Sequence, residues 1–243
     1  MGDWVLTWGQ YQVLWEGLTV TLRLLGLAFL LGVVLSLVFG IARLSPRTWM
    51  RGLALVYVEF ARGISSIILL FIMVFAIPIL FDFDAFGRFS FAVVALAINM
   101  GGYGAEIVRG SINAIPKGQT EASIALNLSP TQRLRHVVLP QAMRIILPPM
   151  GNLTIEILKG TALVALVAIG DLMQATRNLI QAQLAEGVSG VTILFVNVLV
   201  IYFIVAQIIN GLFRFGEARL NARFRQRTGR AAVSTEAYSE VSA

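Results

Sequence analysis

The chain has 243 residues, 57% of them hydrophobic and only 13% charged, about half the charged share of a soluble domain. Its mean hydropathy is +0.80, and a soluble fold cannot hide that much apolar surface. The absence of cysteine and the presence of a single histidine, His136, exclude disulfides, thiolate clusters and the usual zinc sites, so no metal centre is expected. The composition describes an all-α integral membrane protein.

Residues 1–17 hold Trp4, Trp8, Tyr11 and Trp15 near one helical face but no Lys or Arg. A cleavable leader would carry a basic start, so the segment is expected to be an interfacial helix at headgroup level. A bilayer core needs about 20 apolar helical residues. Leu24–Ala42 and Gly63–Phe81 are uncharged runs of 19 residues each, Phe89–Ala105 is one of 17, and Gly187–Phe213 is one of 27. Ile145–Gly170 is apolar except for Glu156 and Lys159. Pro148, Pro149, Gly151 and Gly160 predict a bent or broken helix there. About five transmembrane helices therefore fill residues 18–215. Residues 216–243 are expected to form a basic, then disordered, tail.

Basic residues set the orientation. Segments Arg43–Arg51, Glu106–Arg144 and the tail from Arg214 hold 14 Lys and Arg, and the alternate segments hold only Arg88 and Arg177. The positive-inside rule places the N-terminus outside and the C-terminus in the cytoplasm. The basic tail then suits anionic lipid rather than nucleic acid.

Glu106–Arg144 is long for a connection within a compact membrane protein. Ile115–Gly118 reads as a turn and Gln119–Leu128 as a short amphipathic helix, with Ala122, Ala125 and Leu126 on one side. Ser129, Pro130 and Gln132 supply an N-cap, a first-turn proline and a capping box for a second helix. Such a helix, presented to the cytoplasm, suits docking on a soluble partner.

Gly118-Gln119-Thr120-Glu121-Ala122-Ser123, then Asn127, then Val137-Val138-Leu139-Pro140, resembles the EAA loop of ABC-importer permeases, with matching spacing. Ser123 replaces the second Ala and Asn127 the Gly. Asn tolerates a left-handed backbone, so the turn can survive. Gly102–Gly110, Phe60–Gly63 and Asn152–Leu163 resemble segments of the polar-amino-acid uptake permeases, and Ala125–Pro130 with Ile155–Leu163 most resemble ectoine and hydroxyectoine permeases.

The resemblance implies a type I ABC importer permease fold in a bacterial plasma membrane. It also implies an import function for a polar amino acid or an amino-acid-like compatible solute. Coupling to the ATPase would fall to Gly118, Glu121, Ala122, Ser123, Asn127, Leu139 and Pro140. The chain has no Gly-x-x-x-x-Gly-Lys-Ser/Thr loop, so ATP and Mg would sit on a separate ATPase dimer. The chain is then a transport subunit, not an enzyme. Further expected partners are a second permease subunit, identical or paralogous, and an extracytoplasmic substrate-binding protein.

Charges inside spans are costly and usually functional. Glu59 with Arg62, and Glu156 with Lys159, stand one helical turn apart and can pair on one face. Together with Asn99, Tyr103, Asn152 and Thr161 they are the candidate translocation path. The alternatives are a helix–helix contact or, for Glu59 and Arg62, snorkelling to the interface. A different class of function, a stand-alone secondary transporter or channel with Glu156 and Lys159 as an ion relay, lacks an inverted repeat and leaves the EAA-like loop without a role.

Overall fold

The computed structural model describes residues 6–82, 87–187 and 190–241, with side chains followed to Ala222. Trp4 and the side chains of the expected disordered tail lie outside the described residues. The described residues form helices and no strand.

Helix α1 is Trp8–Ala42, 35 residues without a break, which reaches about 52 Å. The expected interfacial helix and first span are therefore one element. Thr7 caps it, accepting from the Gln10 backbone N–H, while the Gln10 side chain returns to the Thr7 N–H. No proline interrupts α1. Its length exceeds a bilayer core of about 30 Å, and its first two turns bear Trp8, Tyr11 and Trp15.

Helix α2 is Thr48–Gly63 and α3 is Ser66–Phe81, bent 103° apart. The second expected span thus becomes a bent pair, and Glu59 and Arg62 stand on α2, ahead of the bend. Helix α4 is Gly87–Asn113. Residues 106–113, expected to start the loop, are its last two turns. Helix α5 is Lys117–Ala125. Helix α6 is Pro130–Val167, α7 is Leu172–Ala185 and α8 is Val191–Val241. Among the described residues, four helices are long and apolar enough to cross a membrane, and the bent pair makes five.

Prolines mark the irregular turns. A π turn, Ile72–Ala76, precedes Pro78, and another, Leu134–Val138, precedes Pro140. Each proline lacks an N–H and crowds the carbonyl four residues earlier, and a widened turn relieves that clash. Pro148 and Pro149, by contrast, sit inside regular helix. The expected break comes later, at Thr161–Val167, where the helix tightens to 3₁₀ form.

Close packing holds the bundle together. Ala28, Gly32, Ser36 and Gly40 recur every fourth residue on the buried stripe of α1, a small-residue seam that lets backbones approach. A Cβ at Gly40 would lie 2.8 Å from the Ala105 carbonyl oxygen and one at Gly102 2.6 Å from Ala61 Cβ. Gly101, Gly102 and Gly104 therefore serve packing of α4 against α1 and α2. Helix α7, which carries Arg177 of the weakly basic alternate segments, packs on α1 at Gly17. Asp171 caps it, accepting from the N–H groups of Met173 and Gln174. Its carboxyl is fully buried, and desolvation pushes its pKa up to about 6 despite those hydrogen bonds.

Candidate functional site

Two regions carry the polar chemistry. The first is the connection between α4 and α6. Helix α5 ends in a Schellman motif: Leu128 N–H donates to the Ser123 carbonyl, and Asn127 N–H to that of Ile124. Asn127 adopts φ 56°, in the left-handed region, which Asn tolerates through its short polar side chain. Ser123 is buried and gives its hydroxyl proton to the Thr120 carbonyl at 2.6 Å. A small side chain with its polar atom satisfied explains how Ser replaces Ala there. The Ser129–Gln132 capping box is formed in both directions. Leu139 and Pro140 begin the regular part of α6 after its π turn.

The outward side of this connection has no cover. Glu121, Ala122 and Ala125 are exposed, and Leu126 is 74% exposed. Gly118 has open space around its Cα. Gln141 ties the connection to α6 by donating to Gln119 at 3.1 Å.

The second region is a cavity of about 340 Å³ lined by Arg62, Tyr103, Glu106, Ile107, Pro149, Asn152, Leu153 and Glu156. Three helices build it. Arg62 comes from the end of α2, Tyr103 and Glu106 from one face of α4, and Pro149, Asn152, Leu153 and Glu156 from one face of α6 at helical spacing. Tyr103 fixes Arg62: the guanidinium carbon lies 5.6 Å from the ring centroid, and the phenol donates to the Arg62 carbonyl at 3.4 Å. A larger groove, about 960 Å³, runs between Trp8, Tyr11 and Trp15 of α1 and Ile201, Ile204 and Ile208 of α8. Its lining is mainly apolar, with Gln12 and Glu16 as the exceptions beside the aromatic rings, so the smaller cavity, with three charged side chains, is the candidate site.

The expected ion pairs are not those the chain forms. Glu59 reaches Arg43 at 4.0 Å rather than Arg62. Among the described residues, Glu156 and Lys159 form no ion pair, and Glu156 faces the cavity while Lys159 is outside its lining. Asn99 is buried and donates to the Ala61 carbonyl at 3.3 Å, tying α4 to α2. Thr161 is fully buried and donates to Leu158 of its own helix at 2.7 Å. Four of the eight candidate path residues, Arg62, Tyr103, Asn152 and Glu156, meet at the cavity. Glu106 joins them, a role that the sequence pattern does not single out. Its one signal there is a carboxylate three residues from Tyr103 and from Arg109.

A helical bundle with spans long enough to cross a membrane, a capped and uncovered connection and a charged cavity between helices is the frame of a membrane transport subunit. The chain belongs to the family of binding-protein-dependent transport system inner membrane components, which matches residues 29–215. It is 37% identical over 222 residues to a probable amino-acid ABC transporter permease, y4tF, of Sinorhizobium fredii, covering 89% of this chain and 91% of that one. It is 36% identical over 178 residues to the glutamine transport system permease GlnP of Escherichia coli, covering 73% and 81%. A solved amino acid ABC transporter with histidines superposes with a TM-score of 0.79 at 29% identity, covering 90% of this chain and 99% of that chain. The MetNI methionine transporter superposes at 0.73 with 22% identity and shares the fold. The fold is that of a type I ABC importer permease. Such a permease works with ATPase subunits and a substrate-binding protein in general.

Proposed function

We propose that the chain imports a zwitterionic amino acid or amino-acid-like compatible solute, ectoine or hydroxyectoine among the candidates, and that the 340 Å³ cavity lies on its path. The observation that carries this reading is that one guanidinium, Arg62, and Glu156, a carboxylate without an ion pair among the described residues, line one cavity. Arg62 matches a cargo carboxylate, and Glu156 a cargo ammonium or amidinium. Asn152 and Tyr103 add neutral hydrogen-bonding groups. Amino-acid permeases among the relatives support the cargo class.

The uncovered loop is the proposed ATPase contact. Glu121, Ala122 and Leu126 form its surface, and Gly118, Ser123 and Asn127 shape it. Leu139 and Pro140 pass its motion into α6. ATP and Mg belong to the ATPase pair, and a second permease chain, identical or paralogous, completes the pore. Arginines at the loop end favour that end facing the cytoplasm, with the N-terminus outside.

The test is uptake by the complex of this chain, its ATPase and its binding protein in lipid vesicles, with labelled glutamine, ectoine and arginine as probes. Arg62→Gln and Glu156→Gln should each raise KM about tenfold or more, the loss expected for one charge-assisted contact. Unchanged KM in both variants would remove the cavity from the path.

A further inference from the structure

Glu106 touches more than the cavity. Its Oε2 accepts two hydrogen bonds from Arg109, at 3.0 Å from Nε and 2.8 Å from Nη2. Its Oε1 lies 3.1 Å from Nη1 of Arg43, the residue that ends α1. Arg43 also approaches Glu59 of α2 at 4.0 Å. Arg43, at the end of α1, thus faces two carboxylates, Glu106 of α4 and Glu59 of α2. The backbones of these three helices are held close at the same level by Gly40 and Gly102.

The two links differ in kind. Arg109 stands on the same helix, three residues on, and grips Glu106 by a two-pronged, aligned contact. Arg43 stands on another helix, and its Nη1 and the facing Oε1 are buried without any hydrogen bond. That link is an ion pair alone, with directional bonding absent. A displacement of the loop end of α4 relative to α1 breaks the Arg43 link and leaves the Arg109 link intact. Asn113, where α4 ends before the loop, is seven residues beyond Glu106, about 10 Å along the axis.

We infer that the Arg43–Glu106 ion pair is a latch between the loop end of α4 and the α1 core, and that Glu106 positions the cavity according to the loop. Closed, the pair holds Glu106 against α1 at the edge of the cavity. Opened by the loop, it frees a carboxylate still carried by Arg109 beside Arg62. Arg43 and Glu106 are positioning residues, since neither need touch cargo for the latch to act. The inference rests on the loop being the ATPase contact.

The test compares ATP hydrolysis with and without cargo-loaded binding protein in the vesicle-reconstituted complex. Arg43→Gln breaks the weak link and leaves Glu106 paired with Arg109. It should raise cargo-independent hydrolysis and shrink the stimulation ratio about fivefold or more, the scale of an ordinary coupling between sites. Arg43→Lys should restore the ratio, because a point charge suffices where no fork is used. A wild-type ratio in Arg43→Gln, or no rescue by Arg43→Lys, overturns the latch. Should Arg43→Gln fail to assemble, Arg43→Cys/Glu106→Cys in this cysteine-free chain is bridged with a reducible thiol reagent. Uptake should stop on bridging and return on reduction, and uninterrupted uptake in the bridged form overturns the latch. If the wild-type complex itself shows no stimulation, the loop reading fails instead.

Discussion

The loop between α4 and α6 and the cavity beneath it are built on opposite principles. Apart from the Gln119–Gln141 tie, the loop's polar contacts named above close within five residues: Ser129 with Gln132, Ser123 with Thr120, Leu128 with Ser123. The cavity draws Arg62, Glu106 and Glu156 from three helices far apart in the chain. A locally closed element keeps its shape when it is pushed, so it can transmit force. A cavity shared among helices changes shape whenever those helices shift, which suits the path proposed for it.

Three substitutions sharpen the contrast. The largest effect is expected at the seam under the cavity. Gly102→Leu would drive a side chain into Ala61, whose Cβ lies only 2.6 Å from the place a Cβ at Gly102 would take. Overpacking costs about 1–3 kcal/mol or more, and the variant should lower the thermal midpoint of the purified protein and abolish uptake. An unchanged midpoint would mean the α2–α4 seam does not shape the cavity.

Asp171 combines both principles, capping α7 locally while tertiary packing buries it. Its folded carboxyl keeps a proton to about pH 6, against 3.8 for the ordinary group. The folded state therefore binds more protons than the unfolded one between those values. Stability falls as pH rises through that window and is flat above it, by at most about 3 kcal/mol. Asp171→Asn keeps a capping oxygen and should flatten the profile of thermal midpoint against pH. A profile that persists in the variant assigns it to another group.

The smallest effect is expected in the loop. Asn127→Gly places the residue freest in left-handed backbone at φ 56°. Coupling should be unchanged and local stability altered by less than about 1 kcal/mol. A transport defect would give the Asn127 side chain a role of its own, in contact with the partner.

The same division explains what could be read from the sequence. The capping box and the left-handed Asn127 follow from local rules, and the structure has them. The count of five spans agrees when the bent α2–α3 pair is taken as one. Partner choice among charges does not follow from local rules. Spacing allows Glu59 with Arg62 and Glu156 with Lys159, but spacing permits a pair without compelling it. Tyr103 captures Arg62, and Arg43 lies within reach of Glu59. Glu106 is hidden in the sequence because α4 runs two turns further than its apolar stretch, carrying a residue expected in the loop to the cavity edge. Asn99 and Thr161 have the polarity of path residues, yet each finds its partner in buried backbone.

The central claim is that the exposed face of the loop carries ATPase motion to the helices around the cavity. Glu121 stands exposed on that face, so Glu121→Lys changes the docking surface and little else. The direct measurement is cargo-stimulated ATP hydrolysis by the complex in vesicles, read beside the amount of chain inserted. The account predicts wild-type insertion with stimulation lost. Full stimulation in Glu121→Lys would contradict it.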